Sequence, residues 1–322
     1  MAEAGRWLGW AGLLALFAVP TVTNGYTQYV VNLAVVYALV ATGFNVVIGF
    51  AGQIAFANAA LLGLGAYAAG ILMAAFGVPF PLALLAAGAV GAAGGVLVSL
   101  PVLRGVRFFY LGILTMAAGE LLRWCYIHAN GWTGGSTGLA VPMPSVFGFA
   151  LRDQVSLYYV FLVVAIVLVA GTRNLLRSRV GRALVAVREN ELAAAALAIP
   201  TARVITLAFA WSGLIVGVAG GLFAVLIGRV LPNSFTLGQL VEQFAFVMVG
   251  GVGTLAGPVL GAVLLAAEPE LLRAWPGTEE MVFGLLLIVV IAVQPTGVMG
   301  LLVRVFPSWR QTFYRRPDGR GT

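Results

Sequence analysis

Few side chains in this sequence of 322 residues are of the types that carry out proton transfer, nucleophilic attack or metal binding. The chain has one histidine, His128, one cysteine, Cys125, and no lysine, since all 18 basic residues are arginines. The absence of lysine excludes a standard Walker A nucleotide site and a Schiff-base mechanism. One histidine and one cysteine exclude a histidine-rich metal site, a thiol metal cluster and an internal disulfide. The sequence therefore predicts no metal or cofactor on this chain, and it disfavours an integral membrane enzyme.

The composition indicates a polytopic membrane protein. Hydrophobic residues make up 61% of the chain and charged residues only 9%, whereas an average soluble domain is about a quarter charged. Apolar runs of about 20 residues can cross the hydrocarbon core of a bilayer. Such runs predict membrane-spanning helices at 7–23, 27–48, 54–76, 80–103, 108–128, 155–172, 203–228 and 281–303.

Two further features complete the predicted fold. The run at 7–23 is taken as a retained helix rather than a cleaved signal peptide, because no clear cleavage site precedes Tyr26. Two shorter apolar pieces, 240–250 and 254–267, flank a glycine-rich break. The predicted fold is therefore an all-α polytopic membrane protein, with about eight full transmembrane helices and a broken or re-entrant helix pair near 240–267.

The distribution of arginine predicts the orientation in the membrane. The segments 173–203 and 304–322 and the connection at 104–107 are basic, so they are placed in the cytoplasm. The acidic segment 268–280 is placed outside. With both termini inside, the crossings are consistent only if the 240–267 pair returns to the side from which it started. The net charge of +7 is then a topology signal and gives no reason to expect a nucleic acid partner.

Polar residues inside apolar runs are the candidates for a translocation path or a subunit contact. Gln53 and Asn58 are amides that cost about 1–3 kcal/mol if buried unpaired, so they either line a polar path or pair across helices. Glu120 is three residues before Arg123, which allows an ion pair on one helix face. That pair is either structural or lies at the path or at a subunit contact. The full set of candidates is Gln53, Asn58, Tyr67, Thr115 and Glu120.

Glycine carries two further signals. Thr133, Gly134, Gly135 and Gly138 belong to a loop expected on the outer side. Its backbone amides could hold a carboxylate, and a flexible loop is the alternative. The spacings 213/217/221 and 253/257/261 put glycines on one helix face, which predicts close helix crossings.

An alanine-rich stretch, 189–198, lies inside the basic segment 173–203. Alanine, leucine and glutamate favour a short helix there, and Pro200 is expected to end it. A small alanine surface fits the groove of a partner protein. A helix lying on the membrane surface is the alternative, although alanine is a poor lipid anchor.

In their order and spacing, these segments resemble the LivM-type permease subunits of bacterial branched-chain amino acid ABC transporters. The resemblance runs from about residue 30 to 302, nearly the whole chain. It is carried by the pieces 52–67, 110–123, 133–138, 181–200, 207–221 and 248–261.

The resemblance implies an ABC importer permease of one domain, 1–322, in the bacterial inner membrane. It implies a second, homologous permease, two cytoplasmic ATPase subunits that bind ATP and Mg, and a periplasmic substrate-binding protein. This chain would then be a transport subunit rather than an enzyme. The segment 189–200 would be the coupling helix that docks in the ATPase, through Glu189, Glu191, Ala194, Ala195 and Ala198. Ala198 stands where the family motif usually has glycine, which would favour a more regular helix.

The resemblance implies branched-chain or related amino acids as substrates. Family members commonly have Ser, Gly and His where this chain has Ala55, Ala57 and Asn58, so urea, short amides and aromatic acids remain alternatives. An ion-coupled secondary transporter is the alternative mechanism. It would need carboxylates in the core, where only Glu120 and Glu242 are candidates.

Overall fold

The computed structural model describes residues 17, 20, 24–146, 149–151, 153–272, 277–294 and 296–305. Within these ranges the helices are α1 Gly25–Asn45, α2 Asn58–Phe76, α3 Phe80–Leu103, α4 Phe108–His128, α5 Asn130–Thr133, α6 Gln154–Arg177, α7 Arg179–Glu189, α8 Glu191–Ala196, α9 Thr201–Ile227, α10 Leu237–Gly250, α11 Gly257–Leu271, α12 Glu279–Val293 and α13 Gly297–Val305. The strands are β1 Leu139–Ala140, β2 Ser145–Val146, β3 Phe149–Ala150 and β4 Arg229–Val230, and β1 pairs with β4 and β2 with β3, both antiparallel.

Six described helices are long and apolar enough to cross a membrane: α1 with the π-helical turn Val46–Phe50, α2, α3, α4, α6 and α9. They confirm six of the predicted spans to within a few residues. The predicted helix at 7–23 lies outside the described residues apart from Phe17 and Pro20. The tail beyond Val305 also lies outside them.

The predicted count of eight spans is not confirmed, because the run 281–303 is not one helix. It forms α12 and α13, and Gln294 leaves the helical conformation with φ −138° and ψ 75°. Gln294 precedes Pro295 in the sequence, and a residue before proline is pushed out of the helical region. A prediction from hydropathy alone does not detect this interruption, since the residues around it are apolar.

The centre of the bundle is α9, which packs against α3 and α2 through glycines. In the apolar stretch of α9, 78% of the residues are buried, against 17% for the peripheral α4. A Cβ added at Gly217 would run into the backbone of Ala87 and Gly91 in α3, and one at Gly213 would run into Gly91. The predicted close crossing through Gly213 and Gly217 is therefore confirmed.

We expect Gly217→Ala to destabilise the protein by about 1–3 kcal/mol, because the atoms in the way are backbone atoms of α3. The matched control is Gly284→Ala in α12, where an added Cβ meets nothing within 4 Å. Alanine favours a helix more than glycine, so the control should be neutral or stabilising. Thermal unfolding of the purified protein in detergent compares the two, and equal midpoints would contradict the crossing.

The segment predicted as a broken pair forms an antiparallel helical hairpin, α10 and α11. Gly250 packs on Gly257, and Gly261 packs on the backbone of Phe246. The two helices have 14 and 15 residues, so each is about 21–23 Å long, shorter than a hydrocarbon core of about 30 Å. Gly253 lies outside both helices, with φ +75°, so the predicted helical spacing from Gly253 is wrong.

A second break separates α1 from α2. The chain leaves the π-helical turn at Phe50, and α2 begins only at Asn58, not at residue 54 as the apolar run predicts. Gly52 adopts φ +66°, which ends the helical path. Ala51, Ala55 and Ala57 are buried. Non-helical backbone at membrane depth is tolerated only where protein or a cavity surrounds it.

Candidate functional site

Hydrogen bonds to α4 and α10 hold the segment between α1 and α2 together with the first residue of α2. The backbone N–H of Phe56 donates to the Thr115 hydroxyl at 2.9 Å, and the backbone N–H of Phe108 donates to Gln53 Oε1 at 3.3 Å. Asn58 Nδ2 donates to Gln243 Oε1 in α10 at 2.8 Å. The sequence suggested Gln53, Asn58 and Thr115 for a path. In the described structure all three side chains are buried and bond to another element. Their geometry favours packing, the other interpretation of the amides.

Tyr67 lies in an aromatic cluster rather than among the buried amides. Its ring centroid is 4.8 Å from that of Tyr126 and 6.1 Å from that of Phe235. The Tyr126 hydroxyl donates to the Ala60 carbonyl at 2.8 Å. The Tyr67 hydroxyl is buried and has no hydrogen-bond partner among the described residues. The cluster anchors α2 to α4 and to the chain that follows α9.

Glu120 is the candidate on an exposed face. Arg123 Nε donates to Glu120 Oε2 at 2.8 Å, so the ion pair expected from the spacing is present. The Glu120 side chain is 41% exposed and that of Arg123 is 31% exposed. Glu120 lies near the middle of α4 and lines a small recess together with apolar residues, including Phe56, Met116 and Leu240.

An ion pair in the middle of an apolar helix needs a covering other than lipid tails. Intramembrane charges almost always face the interior of a bundle or a water-filled cavity. The surrounding surface of α4 is strongly apolar and exposed, through Phe109, Ile113, Leu121 and Trp124. This face can therefore meet lipid at its margins and a partner or aqueous path at Glu120.

The glycine-rich loop is a well-defined turn. Gly134, Gly135 and Gly138 have φ values of +71°, +56° and +76°, and β1 directly after them pairs with β4. The N–H groups of Gly134, Gly135 and Gly138 donate within the loop, the one of Gly135 to the Thr133 hydroxyl at 3.2 Å. The glycine amides that were considered for holding a carboxylate are thus already bonded within the loop.

The alanine-rich stretch is divided between two helices. Ser178 caps α7 by accepting from the Val180 N–H at 3.1 Å. Asn190 is extended between the helices and caps α8 by accepting from the Ala193 N–H at 3.0 Å. The helix α8 ends at Ala196, four residues before Pro200, so the prediction that proline ends the helix is wrong.

The exposed face of this loop differs from the expected contact set. Ala194 is only 2% exposed, so it packs inward, whereas Leu192 is 83% exposed and Leu197 is 77% exposed. Glu189 and Ala195 are exposed as well, and Glu191 is partly buried. Sequence reasoning missed the leucines, although two leucines five residues apart in a basic loop are the signal that could have found them.

Ala198 adopts the left-handed conformation with φ +59°, so the expectation of a more regular helix is wrong. This conformation costs a residue with a Cβ about 1–2 kcal/mol. We expect Ala198→Gly to stabilise the loop by about 1 kcal/mol, visible as slower amide exchange over 191–200. The matched control, Ala195→Gly inside α8, should speed the exchange, since glycine costs about 1 kcal/mol in a helix. A change of the same sign in both variants would contradict this account.

Comparison with known proteins gives matches to permease components of transport systems. Residues 26–291 match the family described as "Branched-chain amino acid transport system / permease component". The chain is 31% identical over 311 residues to the high-affinity branched-chain amino acid transport system permease protein LivM of Escherichia coli, covering 89% of this chain and 73% of that protein. It is 29% identical over 291 residues to the permease protein LivH of Salmonella typhimurium, covering 84% and 93%. No solved structure matches the chain.

Proposed function

Because the chain belongs to the family of permease components of branched-chain amino acid transport systems, we propose that it is the transmembrane permease subunit of an ATP-driven importer for leucine, isoleucine and valine. The match over residues 26–291 is the observation that carries this proposal. ATP and Mg bind the partner ATPases, and this chain is a transport subunit without an ATPase site of its own. A standard Walker A nucleotide site needs a lysine, and the sequence contains none, which is consistent with ATP binding on the partner subunits.

The assembly we propose contains a second, homologous permease, two cytoplasmic ATPase subunits and a periplasmic binding protein. The similarity of this chain to both LivM and LivH supports pairing with a homologous permease. The chain forms one domain, 1–322, in the inner membrane. Both termini are cytoplasmic, as are the loop 173–203 and the tail 304–322.

The coupling segment, residues 189–198, is proposed to dock in a groove of the ATPase. Exposed Leu192 and Leu197 supply the apolar contact, flanked by Ala195 and Glu189. Transfer of these two largely exposed leucine side chains from water to a partner surface is favourable. Ala194 supports α8 from inside and does not touch the partner.

The translocation path is proposed to run along the face of α4 that carries Glu120. The recess beside Glu120 and the exposed ion pair support this placement. Gln53, Asn58 and Thr115 shape this region indirectly, by holding the non-helical segment that brings Phe56 to the recess. The second permease closes the path from the other side.

The test is uptake into proteoliposomes by the complete complex, with the partner permease, both ATPases and the binding protein encoded beside this chain. ATP-dependent uptake of leucine that requires the binding protein is the expected result. Uptake of urea, short amides or aromatic acids instead would change the proposed substrate and leave the assignment as an ATP-driven importer unchanged. Uptake without the ATPases that collapses with the ion gradient would overturn the proposal.

A further inference from the structure

We propose that the corner between α7 and α8, residues Arg188–Glu191, is the transmitter that ties the coupling segment to both breaks in the bundle and to the start of α4. This inference rests on the proposed function. It assigns positioning roles to Arg188, Glu191 and Arg107.

The two breaks form one structural unit. The Asn45 side chain accepts from the Gly253 N–H at 2.9 Å and donates to the Thr254 carbonyl at 2.8 Å, and Asn45 itself is buried. A Cβ added at Gly49 would run into Asn45 and into the backbone of Gly253. The turn that ends α1 and the tip of the α10–α11 hairpin are therefore bonded to each other, and we expect them to move together.

Arg188 is the side chain that reaches this unit from the coupling segment. It lies in the last turn of α7, and its guanidinium donates to the carbonyl of Gly49. Its aliphatic stem lies over Gly52, and its guanidinium lies against Gly253. One side chain thus contacts the backbone just before the first break, just inside it and at the tip of the second. A helix end leaves carbonyls without partners, and Arg188 satisfies one of them.

Glu191 makes the other connection, three residues further along the chain. Its carboxylate pairs with the Arg107 guanidinium, which also donates to the carbonyls of Val102 and Val106. Arg107 directly precedes α4, the helix that carries Glu120. Asn190, extended between Arg188 and Glu191, fixes the angle between the two contacts.

A displacement of α8 against an ATPase therefore acts on two places in the membrane part at once. Through Arg188 it acts on the end of the π-helical turn and on the tip of the α10–α11 hairpin. Through Glu191 and Arg107 it acts on the first residues of α4. The contact of Arg188 with Gly49 and the ion pair of Glu191 with Arg107 each involve few atoms and are partly exposed to solvent. They can therefore rearrange while the close glycine crossings of α9 stay packed.

The test is the coupling ratio, substrate taken up per ATP hydrolysed, in the complete complex in proteoliposomes. Arg188→Gln is expected to keep ATPase binding and hydrolysis and to lower this ratio at least fivefold, while Arg188→Lys restores most of it. The matched control is Arg182→Gln on the same helix, whose guanidinium bonds locally to the Arg177 carbonyl at 3.4 Å and whose ratio should not change. A proportional fall of uptake and hydrolysis in Arg188→Gln, or a wild-type ratio, would overturn the proposal.

A second pair of variants covers the case in which Arg188→Gln does not assemble. Glu191→Arg alone and Arg107→Glu alone should each lower the ratio, and the exchange of both should restore at least half of it. An exchange no better than either single variant would overturn the transmitter. Wild-type complex without ATP-dependent uptake would refute the proposed function, and the transmitter with it, so the two failures are distinguishable.

Discussion

Replacing Leu192 and Leu197 together by aspartate is expected to abolish copurification of the ATPase subunits with this chain. Both side chains are strongly exposed at the coupling segment, and burial of a leucine contributes about 1.5–3 kcal/mol. Loss of both contacts should weaken the association about 100- to 10,000-fold, before any cost of burying the new charges. Membrane insertion and the yield of the permease pair should stay unchanged, because neither side chain packs against the bundle.

The matched control is Leu192→Met with Leu197→Met, which keeps apolar surface of similar volume and should retain the ATPase. A single change to a large charged residue, Ala195→Arg, should also block docking, since Ala195 lies on the exposed side of α8. Pull-down from detergent extracts measures all three variants. Normal recovery of ATPase with the double aspartate variant would refute the docking surface.

Arg123→Leu is expected to lower the amount of assembled permease, since it leaves Glu120 charged and unpaired in the middle of α4. An unpaired charge near the bilayer centre costs at least about 2.5–3.5 kcal/mol. Glu120→Leu combined with Arg123→Leu removes both charges, so assembly should recover. Transport by this double variant should remain at least tenfold below the wild type, because the polar group of the proposed path is gone.

This double variant separates the structural role of the ion pair from a role in transport. Uptake in proteoliposomes, normalised to the amount of assembled complex, is the measurement, with Glu120→Gln as a milder variant. Glu270→Gln, exposed at the end of α11, is the control carboxylate and should transport normally. Wild-type uptake by the double leucine variant would show that Glu120 and Arg123 have a structural role alone, and it would contradict the proposed path.

Sequence pattern predicted the parts of the fold that depend on local hydropathy. The spans at 80–103 and 108–128 begin and end where the apolar runs do, and the spacing of Glu120 and Arg123 predicted their ion pair. The glycine crossing at Gly213 and Gly217 was also predictable, since spacing along one helix sets which residues share a face.

The break between α1 and α2 and the coupling face were harder to predict because they depend on contacts far apart in sequence. Residues 54–57 are apolar enough to continue a helix, and they do not, because Thr115 binds the Phe56 N–H from another helix. Ala194 and Ala195 are chemically identical, and only the packing of α8 decides which one faces outward. For the same reason the pairing of Asn58 with Gln243 carries no sequence signature.

The pairing of β1 with β4 joins two parts of the chain that lie far apart in sequence. Two residues of each strand pair, and Arg229 Nη1 donates to the Thr137 carbonyl at 3.0 Å, so the chain leaving α4 and the chain leaving α9 are fastened together. At the opposite end, the start of α4 is bonded to the α7–α8 corner through the side chains of Arg107 and Glu191. The strand pair is thus a backbone connection at the end of α4 opposite to the coupling segment, so we expect the chains leaving α4 and α9 to stay together when the coupling segment moves.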